Sequence, residues 1–278
     1  MAIYLQTNTS SLVAEMHFNS AQESLQSSFT KLSSGYRINS AADDAAGLGI
    51  AKSLNAQVQS YNVASQNAAD AVSMVQTADG SADQVQGLLT RMRELAVEAQ
   101  NGTMSGNDLT NLDTEFQQDL NEIDRVAGDA TFNGTSLLSG TQTTANQIAF
   151  QVGINGNTTI DQINVQFGGA DTSSLLLTGA NVSTAAGASA ALASIDTAIQ
   201  SISKTRAGFG AAINRLSDAQ AAIQSSSENL SAALATIQDV NVASETANLA
   251  REQVLAQAGA SVLAQANQSP QLALKLLQ

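Results

Sequence analysis

The sequence predicts a mainly α protein, an elongated rod of long antiparallel coiled-coil helices that carries one small β-hairpin region. Apolar residues recur every seven positions in the C-terminal half, and steps of three and four residues run through the N-terminal half. Nine of the 19 glycines fall within residues 128–187, where apolar residues alternate as they do in strands. Pro270 is the only proline, so no proline before it breaks a helix.

The first predicted helices lie in the N-terminal half. Residues 1 to about 40 carry a weak apolar stripe, and a longer stripe follows over 48–75. Ser40 with Asp43 three residues later forms a capping-box pattern, which predicts where the longer helix starts. The breaker Asn101-Gly102 predicts where it ends. The weak stripe consists of Phe18, Ala21, Leu25, Phe29 and Leu32.

A shorter helix and then a change of pattern follow. The spacing predicts a helix over 109–123 that ends before Gly128 as its C-cap. Between about 130 and 187 the apolar spacing falls to two, and residues 153–157 form a turn signal between two alternating runs. This predicts a β-hairpin, with a short irregular glycine-rich loop as the alternative. The two runs are Ile148, Phe150 and Val152, then Ile163, Val165 and Phe167.

The C-terminal half carries the clearest repeat. One stripe keeps a strict seven-residue step, whereas its companion stripe is interrupted by Arg206, Gln220 and Ser227. A helix over 195–237 would run roughly 65 Å, which predicts a rod. An amphipathic helix of an ordinary bundle is the alternative. The strict stripe is Ile195, Ile202, Phe209, Leu216, Ile223, Leu230 and Ile237.

Both ends of the chain are predicted to need partners. The last 40 residues carry only a weak stripe, formed by Leu255, Val262 and Leu263. Two such terminal helices would expose more apolar surface than a soluble monomer usually tolerates, so we expect burial against other copies of the chain. Before assembly we expect these ends to be disordered. Packing onto the rod within one chain is the alternative.

Composition excludes several function classes. The 24 acidic and 11 basic residues give a net charge of −13, which argues against nucleic-acid binding. With no cysteine, thiol nucleophiles are excluded. With His17 as the only histidine, a paired-histidine zinc site or a histidine-dependent triad has at most one ligand or base available. No apolar run is long enough to insert into a membrane, and the first seven residues do not form a conventional secretory signal. We therefore predict no catalytic residue, no cofactor and no metal.

One glycine motif resembles a dinucleotide-binding site. Gly47 and Gly49 are spaced as in that motif, but Lys52 stands where the third glycine is required. No strand is predicted before it. Helix packing, with small residues that allow close approach, is the favoured interpretation.

Five strings of residues together resemble one family. Residues 32–48 (LSSGYRINSAADDAAGL) closely resemble the most characteristic N-terminal motif of bacterial flagellins. Four more strings agree with that family in the same order along the chain, so the resemblance covers almost the whole sequence. They are 91–97 (RMRELAV), 120–126 (LNEIDRV), 132–134 (FNG) and 262–268 (VLAQANQ).

The resemblance implies a structural subunit that polymerises into the bacterial flagellar filament for swimming motility, secreted through the flagellar export channel. It implies a terminal coiled-coil domain of residues 1–40 with 240–278, which lines the filament core. Residues 41–239 would form a surrounding helical domain with a hairpin region at about 130–187, without the variable outer domains of many flagellins. Expected partners are other copies or paralogous flagellins, an export chaperone and the filament cap. The predicted assembly seam is Leu25, Phe29, Leu32, Leu255 and Leu263.

Two rival functions follow from the same resemblance. A hook–filament junction protein shares the terminal helices, but such proteins match residues 40–48 less closely. A secreted enzyme is the second rival, because some flagellins carry a zinc protease in the inserted region. That protease needs a His-Glu-x-x-His motif, which a chain with one histidine does not have.

The resemblance also implies a contact with a host receptor. Arg91 and Leu95 lie four apart on one predicted helix and share a face. They match positions through which many flagellins contact the vertebrate Toll-like receptor 5, and Glu115 matches a third. Asp119 stands where receptor-active relatives often carry a basic residue. The alternative is that Arg91 and Glu115 make contacts within or between subunits and that Leu95 belongs to the core.

Overall fold

The computed structural model describes residues 7–140 and 147–276. The first six and last two residues of the predicted terminal domain lie outside the described residues. The mainly α fold with long helices and short strands is confirmed. The described helices are α1 (Thr9–Ser34), α2 (Ala45–Ala99), α3 (Gly106–Asp129), α4 (Ala185–Gln238) and α5 (Val242–Leu276). The described strands are β1 (Thr131–Phe132), β2 (Thr135–Ser136), β3 (Gln147–Gln151) and β4 (Gln162–Gln166).

The chain divides into two compact units. The terminal unit comprises Met1–Val58 with Glu228–Gln278, and the central unit comprises Gln59–Ser227. Helices α2 and α4 each contribute residues to both units, because α2 continues across residue 58 and α4 continues across residue 227. Helix α2 has 55 residues and α4 has 54. At 1.5 Å per residue each would run about 80 Å.

In the terminal unit, α1 packs against α5 in antiparallel orientation. The Asn8 side chain donates to the carbonyl of Ala266 at 2.8 Å, and the Ser11 hydroxyl donates to the Asn267 side chain at 2.7 Å. Further along α1, Phe18 lies against Gly259, where an added Cβ would be 3.5 Å from its ring. That distance is an ordinary van der Waals contact, so Phe18 packs directly on α5 and a small side chain at 259 would also fit.

The end of α1 is fixed to the start of α5. Gly35 ends α1 in the left-handed conformation at φ 76°, which glycine adopts without a steric penalty. Its carbonyl accepts from the Val240 amide at 2.9 Å, and the Arg37 amide donates to the Gln238 carbonyl at 2.6 Å. The Arg37 guanidinium donates to the Ile237 carbonyl at 2.5 Å. These hydrogen bonds hold residues 35–37 against the junction between α4 and α5.

The predicted start of the second helix is wrong by several residues. Ser40 and Asp43 form a turn before the helix, in which the Asp43 carboxylate accepts from the Ser40 amide at 2.8 Å. Helix α2 begins at Ala45, and the Asp44 carboxylate accepts from the Gly47 amide at 2.8 Å. Asp44 therefore caps the helix from the preceding position, as an acidic residue at an exposed N-terminus does.

The core of the central unit lies along one face of α2 and one face of α4. Five of the seven residues of the predicted stripe are confirmed as core, since Ile195, Ile202, Phe209, Leu216 and Ile223 are at most 5% exposed, whereas Leu230 and Ile237 are half-buried. Val75, Leu89, Met92 and Leu95 are fully buried on α2. Phe209 also contacts Phe167 after β4, with the ring centroids 5.5 Å apart. The seven-residue repeat thus marks the buried face of α4.

Helix α3 begins and ends differently from the prediction. Its start is a capping box in which the Ser105 hydroxyl accepts from the Asp108 amide and the Asp108 carboxylate accepts from the Ser105 amide. Gly128 lies inside the helix, which continues to Asp129 and is capped by Ala130. Val126 and Ala127 just before the glycine and Ala130 just after it are buried, so packing carries the helix past the glycine.

Two antiparallel strand pairs occupy the described part of the predicted hairpin region. The predicted hairpin is confirmed, because β3 pairs with β4 so that Ile148 faces Val165 and Phe150 faces Ile163. The β1–β2 pair was not predicted. Its two-residue turn is Asn133-Gly134, and both residues have positive φ, at 49° and 78°. This is the asparagine-glycine turn that matches the twist of a short hairpin.

Candidate assembly and contact surfaces

The predicted assembly seam lies on the α1 and α5 pair of the terminal unit. Leu25, Leu32 and Leu263 are half-buried, whereas Phe29 is 46% exposed and Leu255 is 53% exposed. The pairing of α1 with α5 therefore covers part of the seam and leaves much of its apolar surface in contact with solvent. Whether other copies cover that surface stays a prediction.

The exposed apolar surface extends beyond the predicted seam. Along α1, the described buried residues are only Ala14 and Ser28. Large apolar side chains on both helices are close to half exposed or more, which is unusual for so many residues in two neighbouring helices. Those outside the seam are Leu12, Val13 and Met16 on α1, and Val242, Val254 and Val262 on α5.

A groove of about 440 Å³ runs between α1 and α5. Ala14 and His17 line it from α1, and Leu255 and Val262 line it from α5. Glu252 also lines the groove, and its Oε2 atom is buried without a hydrogen-bond partner among the described residues. The remaining lining residues are small, and this leaves room between the two helices; they are Ser20, Ala21, Ser24, Ala258 and Gly259.

Arg91, Leu95 and Glu115 lie close together in the central unit, but they are not equally accessible. The Arg91 guanidinium donates to Glu115 Oε1 at 2.7 and 3.0 Å and to Glu94 Oε2 at 3.1 Å. The Arg91 and Glu115 side chains are 50% and 46% exposed. Leu95 is fully buried in the core. The structure thus brings the charged pair to the surface, whereas burial disfavours a direct contact through Leu95.

Asp119 lies one helical turn beyond Glu115 on α3. Burial raises the pKa of its carboxyl group above the ordinary value, and the like charge of Glu115 raises the pKa further. Its Oδ2 atom is buried and has no hydrogen-bond partner among the described residues. The ionised form of Asp119 therefore lowers the stability of the folded chain.

A charged cluster that the sequence did not predict connects α2 with α4. Arg206 donates to Asp79 at 3.0 Å, to Asp83 at 2.6 Å and to Gln86 at 2.9 Å. The three acceptors are spaced by four and three residues, so they lie on one face of α2. The interruption of the companion stripe by Arg206 was the available signal, because a charge in an apolar seam requires partners on the facing helix.

The described residues form no cluster that could hold a metal ion. In 7–140 and 147–276, no group of three or more His, Asp or Glu residues is arranged to hold a metal ion. Gly47 lies at the start of α2, where an added Cβ would collide with Asp44 and Ile38. The glycine therefore allows the chain before the helix to pack closely, which explains it without a nucleotide. None of the described helices has the length and apolar character that crossing a membrane requires.

Two family models match the chain. The bacterial flagellin N-terminal helical region matches residues 5–143, and the bacterial flagellin C-terminal helical region matches residues 192–277. The first match covers α1 to α3 and the β1–β2 hairpin. The second covers most of α4 and α5. The exposed seam residues fall within the two matched regions.

Individual relatives agree with these matches. The flagellin of Halalkalibacterium halodurans is 40% identical over 254 residues, which are 91% of each chain. The flagellin of Salmonella typhimurium is 43% identical over 176 residues, which are 62% of this chain. That match covers 35% of the Salmonella protein, so this chain aligns with about a third of the length of that longer relative.

A solved structure has a similar fold. A flagellar hook-associated protein from Vibrio parahaemolyticus superposes with a TM-score of 0.58 over 71% of this chain and all of that chain. The sequences are only 15% identical, so this likeness concerns the fold alone.

Proposed function

From the premise that this chain belongs to the bacterial flagellin family and is a structural subunit of the flagellar filament, we propose that α1 and α5 of its terminal unit form the assembly surface. The rival junction function has only the fold likeness at 15% identity, whereas the flagellin match extends over 91% of the chain. The partner that α1 and α5 meet is another copy of the chain or a paralogous flagellin.

The main support for this proposal is the apolar surface that α1 and α5 of the terminal unit leave exposed. Phe29 and Leu255 keep about half of their surface in solvent even though α1 and α5 are already paired. Burying that surface against a neighbour releases the free energy of apolar transfer, about 25 cal/mol per Å². When the two sides of such a contact are different surfaces and the rotation between copies does not close, repetition builds an open helical polymer.

The proposal places the remaining seam residues at the contact between α1 and α5. Leu25, Leu32 and Leu263 are half-buried, so they support the pair from inside while their outer edges extend the exposed surface. The filament-core domain is proposed as residues 1–40 with 240–278. The hydrogen bonds of residues 35–37 with 237–240 lie close to both of these limits.

The test of the assembly surface substitutes Leu25→Asp and Leu263→Asp in the full chain. A charge placed in an apolar seam without a partner is very costly, so neither variant should polymerise. Ser27→Asp, on an exposed position of α1, is the matched control for added charge. Sedimentation measures polymer, and circular dichroism measures folding. Normal polymerisation of both leucine variants would show that these positions are not in the interface.

We assign no chemical step to this protein, because the proposed activity needs only contacts between side chains. The proposed route to the filament is secretion through the flagellar export channel, assisted by an export chaperone and ending beneath the filament cap. The small number of charged residues, 13% of the chain, and the exposed apolar ends support a need for a chaperone before assembly. Export of the chain in a strain without its chaperone tests this step, and undiminished export would contradict it.

A second proposed function is recognition by the vertebrate Toll-like receptor 5. It is favoured by Arg91 and Glu115, which match the family positions and are both about half exposed. Their ion pair means that a receptor acidic group must share a guanidinium already bound to Glu115 and Glu94. Leu95 would act by supporting Arg91 from the core, since its own side chain is buried.

The receptor proposal is tested with monomeric wild type, Arg91→Ala and Glu115→Ala in a signalling assay. Truncation of Arg91 at an interface hot spot should cost about 2 kcal/mol, which is roughly a thirtyfold loss of potency. Circular dichroism confirms that the variants are folded. Equal potency of all three, or a silent wild type, would leave these residues with a structural role only.

A further inference from the structure

The methionines of this chain differ sharply in their access to solvent. Met16 on α1 is 61% exposed, whereas Met74 and Met92 in the core of the central unit are 7% and 0% exposed. Met104, in the loop between α2 and α3, is half-buried. The fifth methionine, Met1, lies outside the described residues. Of the four that the structure describes, Met16 is therefore the most accessible to a reagent in solution.

Met16 lies on the side of α1 that faces away from α5. Between residues 11 and 28, the buried and half-buried residues of α1 recur in steps of three and four, which is the pattern of a helix face packed on a partner helix. Met16 is two residues from both Ala14 and Phe18, so at roughly 100° per residue it lies about 160° from each around the helix axis. Helix α5 therefore leaves Met16 uncovered. The covered residues are Ser11, Ala14, Phe18, Ala21, Leu25 and Ser28.

Two further apolar residues share the face of Met16. Leu12 is 59% exposed and Val13 is 48% exposed, and they precede Met16 by four and three residues. We call Leu12, Val13 and Met16 the outer patch. Large apolar side chains that remain together in solvent mark a surface that becomes buried in an assembly. A chemical change that makes Met16 polar would act directly on this patch.

The thioether of methionine is oxidised by a hydroperoxide without a catalyst. A sulfur lone pair attacks one peroxide oxygen, so that an S–O bond forms as the O–O bond breaks, and the second oxygen leaves as water after proton transfer. The sulfur loses two electrons and the peroxide is reduced by two. The product is methionine sulfoxide, whose polar S–O group is costly to bury in an apolar contact without a donor.

We propose that Met16 is a site of oxidative modification by hydroperoxides, and that its sulfoxide blocks assembly through the outer patch. The inference rests on the proposed function, because it takes α1 as part of the assembly surface. It adds a modification that acts on free subunits, since assembly covers the outer patch and protects Met16. Methionine sulfoxide reductases reverse the change, so the block is reversible.

The test treats full-length wild type with dilute hydrogen peroxide and maps oxidation by mass spectrometry of peptides. In the monomer, Met16 should be oxidised at least about tenfold faster than Met74 and Met92, because both of these are buried. In the polymer, its oxidation should be about tenfold slower than in the monomer. The critical concentration for seeded polymerisation of the oxidised chain should rise about tenfold, and treatment with a methionine sulfoxide reductase should restore it.

Three variants separate Met16 from the other methionines. Met16→Leu removes the sulfur and keeps an apolar side chain, so its critical concentration should be the same with and without peroxide. Met104→Leu retains Met16 and should remain as sensitive to peroxide as wild type. Met16→Gln places a polar side chain of similar length in the patch, so it should raise the critical concentration without any oxidant. Its monomer should melt as wild type does, because position 16 is exposed and both residues favour helices.

Three results would overturn the proposal: oxidation of Met16 no faster than that of Met74, normal polymerisation of wild type that carries the sulfoxide at Met16, or a Met16→Leu variant as sensitive to peroxide as wild type. Failure of untreated wild type to polymerise is a different outcome. It would contradict the proposed function itself, and the inference would fall with it.

Discussion

Leu255 offers a quantitative test of the assembly surface, because the structure gives the share of its side chain that another copy can still cover. It is 53% exposed in the chain. Full burial of a leucine side chain is worth about 1.5–3 kcal/mol, so roughly half of that, about 1 kcal/mol, remains to be gained on assembly. Leu255→Ala removes most of this gain and should raise the critical concentration about fivefold.

The same substitution should affect the isolated chain much less than a core truncation does. The half of Leu255 that is already covered is worth about 1 kcal/mol, and alanine regains a little of this because it favours the helix, so the unfolding free energy should fall by about 1 kcal/mol or less. Leu95→Ala is the opposite control, because Leu95 is fully buried and its truncation should cost about 2–5 kcal/mol of unfolding free energy. Sedimentation of seeded polymer gives the critical concentration, and denaturant unfolding gives the stability.

A Leu255→Ala variant that polymerises at the wild-type critical concentration would contradict the proposed assembly surface. A loss of monomer stability as large as that of Leu95→Ala would contradict it as well. The first outcome would mean that Leu255 stays in solvent within the polymer. The second would mean that the terminal pair already buries it.

The remaining predictions concern charge and the limits of the two units. Ionising Asp119 costs more in the folded chain than in the unfolded chain, so Asp119→Asn should melt at a higher temperature than wild type at pH 7. The two should converge below about pH 3.8, where the unfolded carboxyl is protonated as well; a lower melting temperature at pH 7 would refute this. Arg206→Met should lower the unfolding free energy by about 1–2 kcal/mol after allowance for solvent screening, whereas Arg93→Met, whose ion pair is nearly half exposed, should lower it by about 0.5 kcal/mol or less. Equal effects in denaturant titrations would contradict the special role of the Arg206 cluster. Limited proteolysis of the monomer should cut near residues 40 and 240 and leave a resistant central fragment that no longer polymerises; a full-length monomer that resists protease would argue against loosely held ends.

The parts of the fold that the sequence predicted are those that depend on a repeated pattern. The seven-residue stripe from Ile195 to Ile223 required no knowledge of the partner, because any helix with that repeat must bury one face. The alternating runs around Ile148 and Ile163 predicted the strand pair for the same reason. A periodic pattern that many residues share predicts an element even when one residue departs from it.

The boundaries were harder to predict, because one or two local hydrogen bonds decide them. Ser40 with Asp43 has the spacing of a capping box, but the Asp43 carboxylate closes a turn and Asp44 caps α2. The capping box at Ser105 and Asp108 was missed although it has the same form. Gly128 looked like a helix end, but buried neighbours carry α3 past it.

For the candidate surfaces, the sequence predicted which residues take part but not how exposed each side chain is. Arg91 and Leu95 lie four apart, yet one is half exposed and the other is fully buried, because the small offset between them crosses the edge of the buried face of α2. The left-handed conformation of Leu176, at φ +57°, gave no sequence signal, because it is set by the hydrogen bonds of the 172–177 turn and by the buried Leu175 and Leu177 on either side. Tertiary context decides such positions.

Electron cryomicroscopy of polymer grown from the purified chain after addition of seeds shows directly whether copies assemble through α1 and α5 of the terminal unit. We expect helical filaments in which Phe29 and Leu255 are buried against α1 and α5 of neighbouring copies. Filaments in which these two side chains face solvent, or a protein that stays monomeric in the presence of seeds, would contradict it.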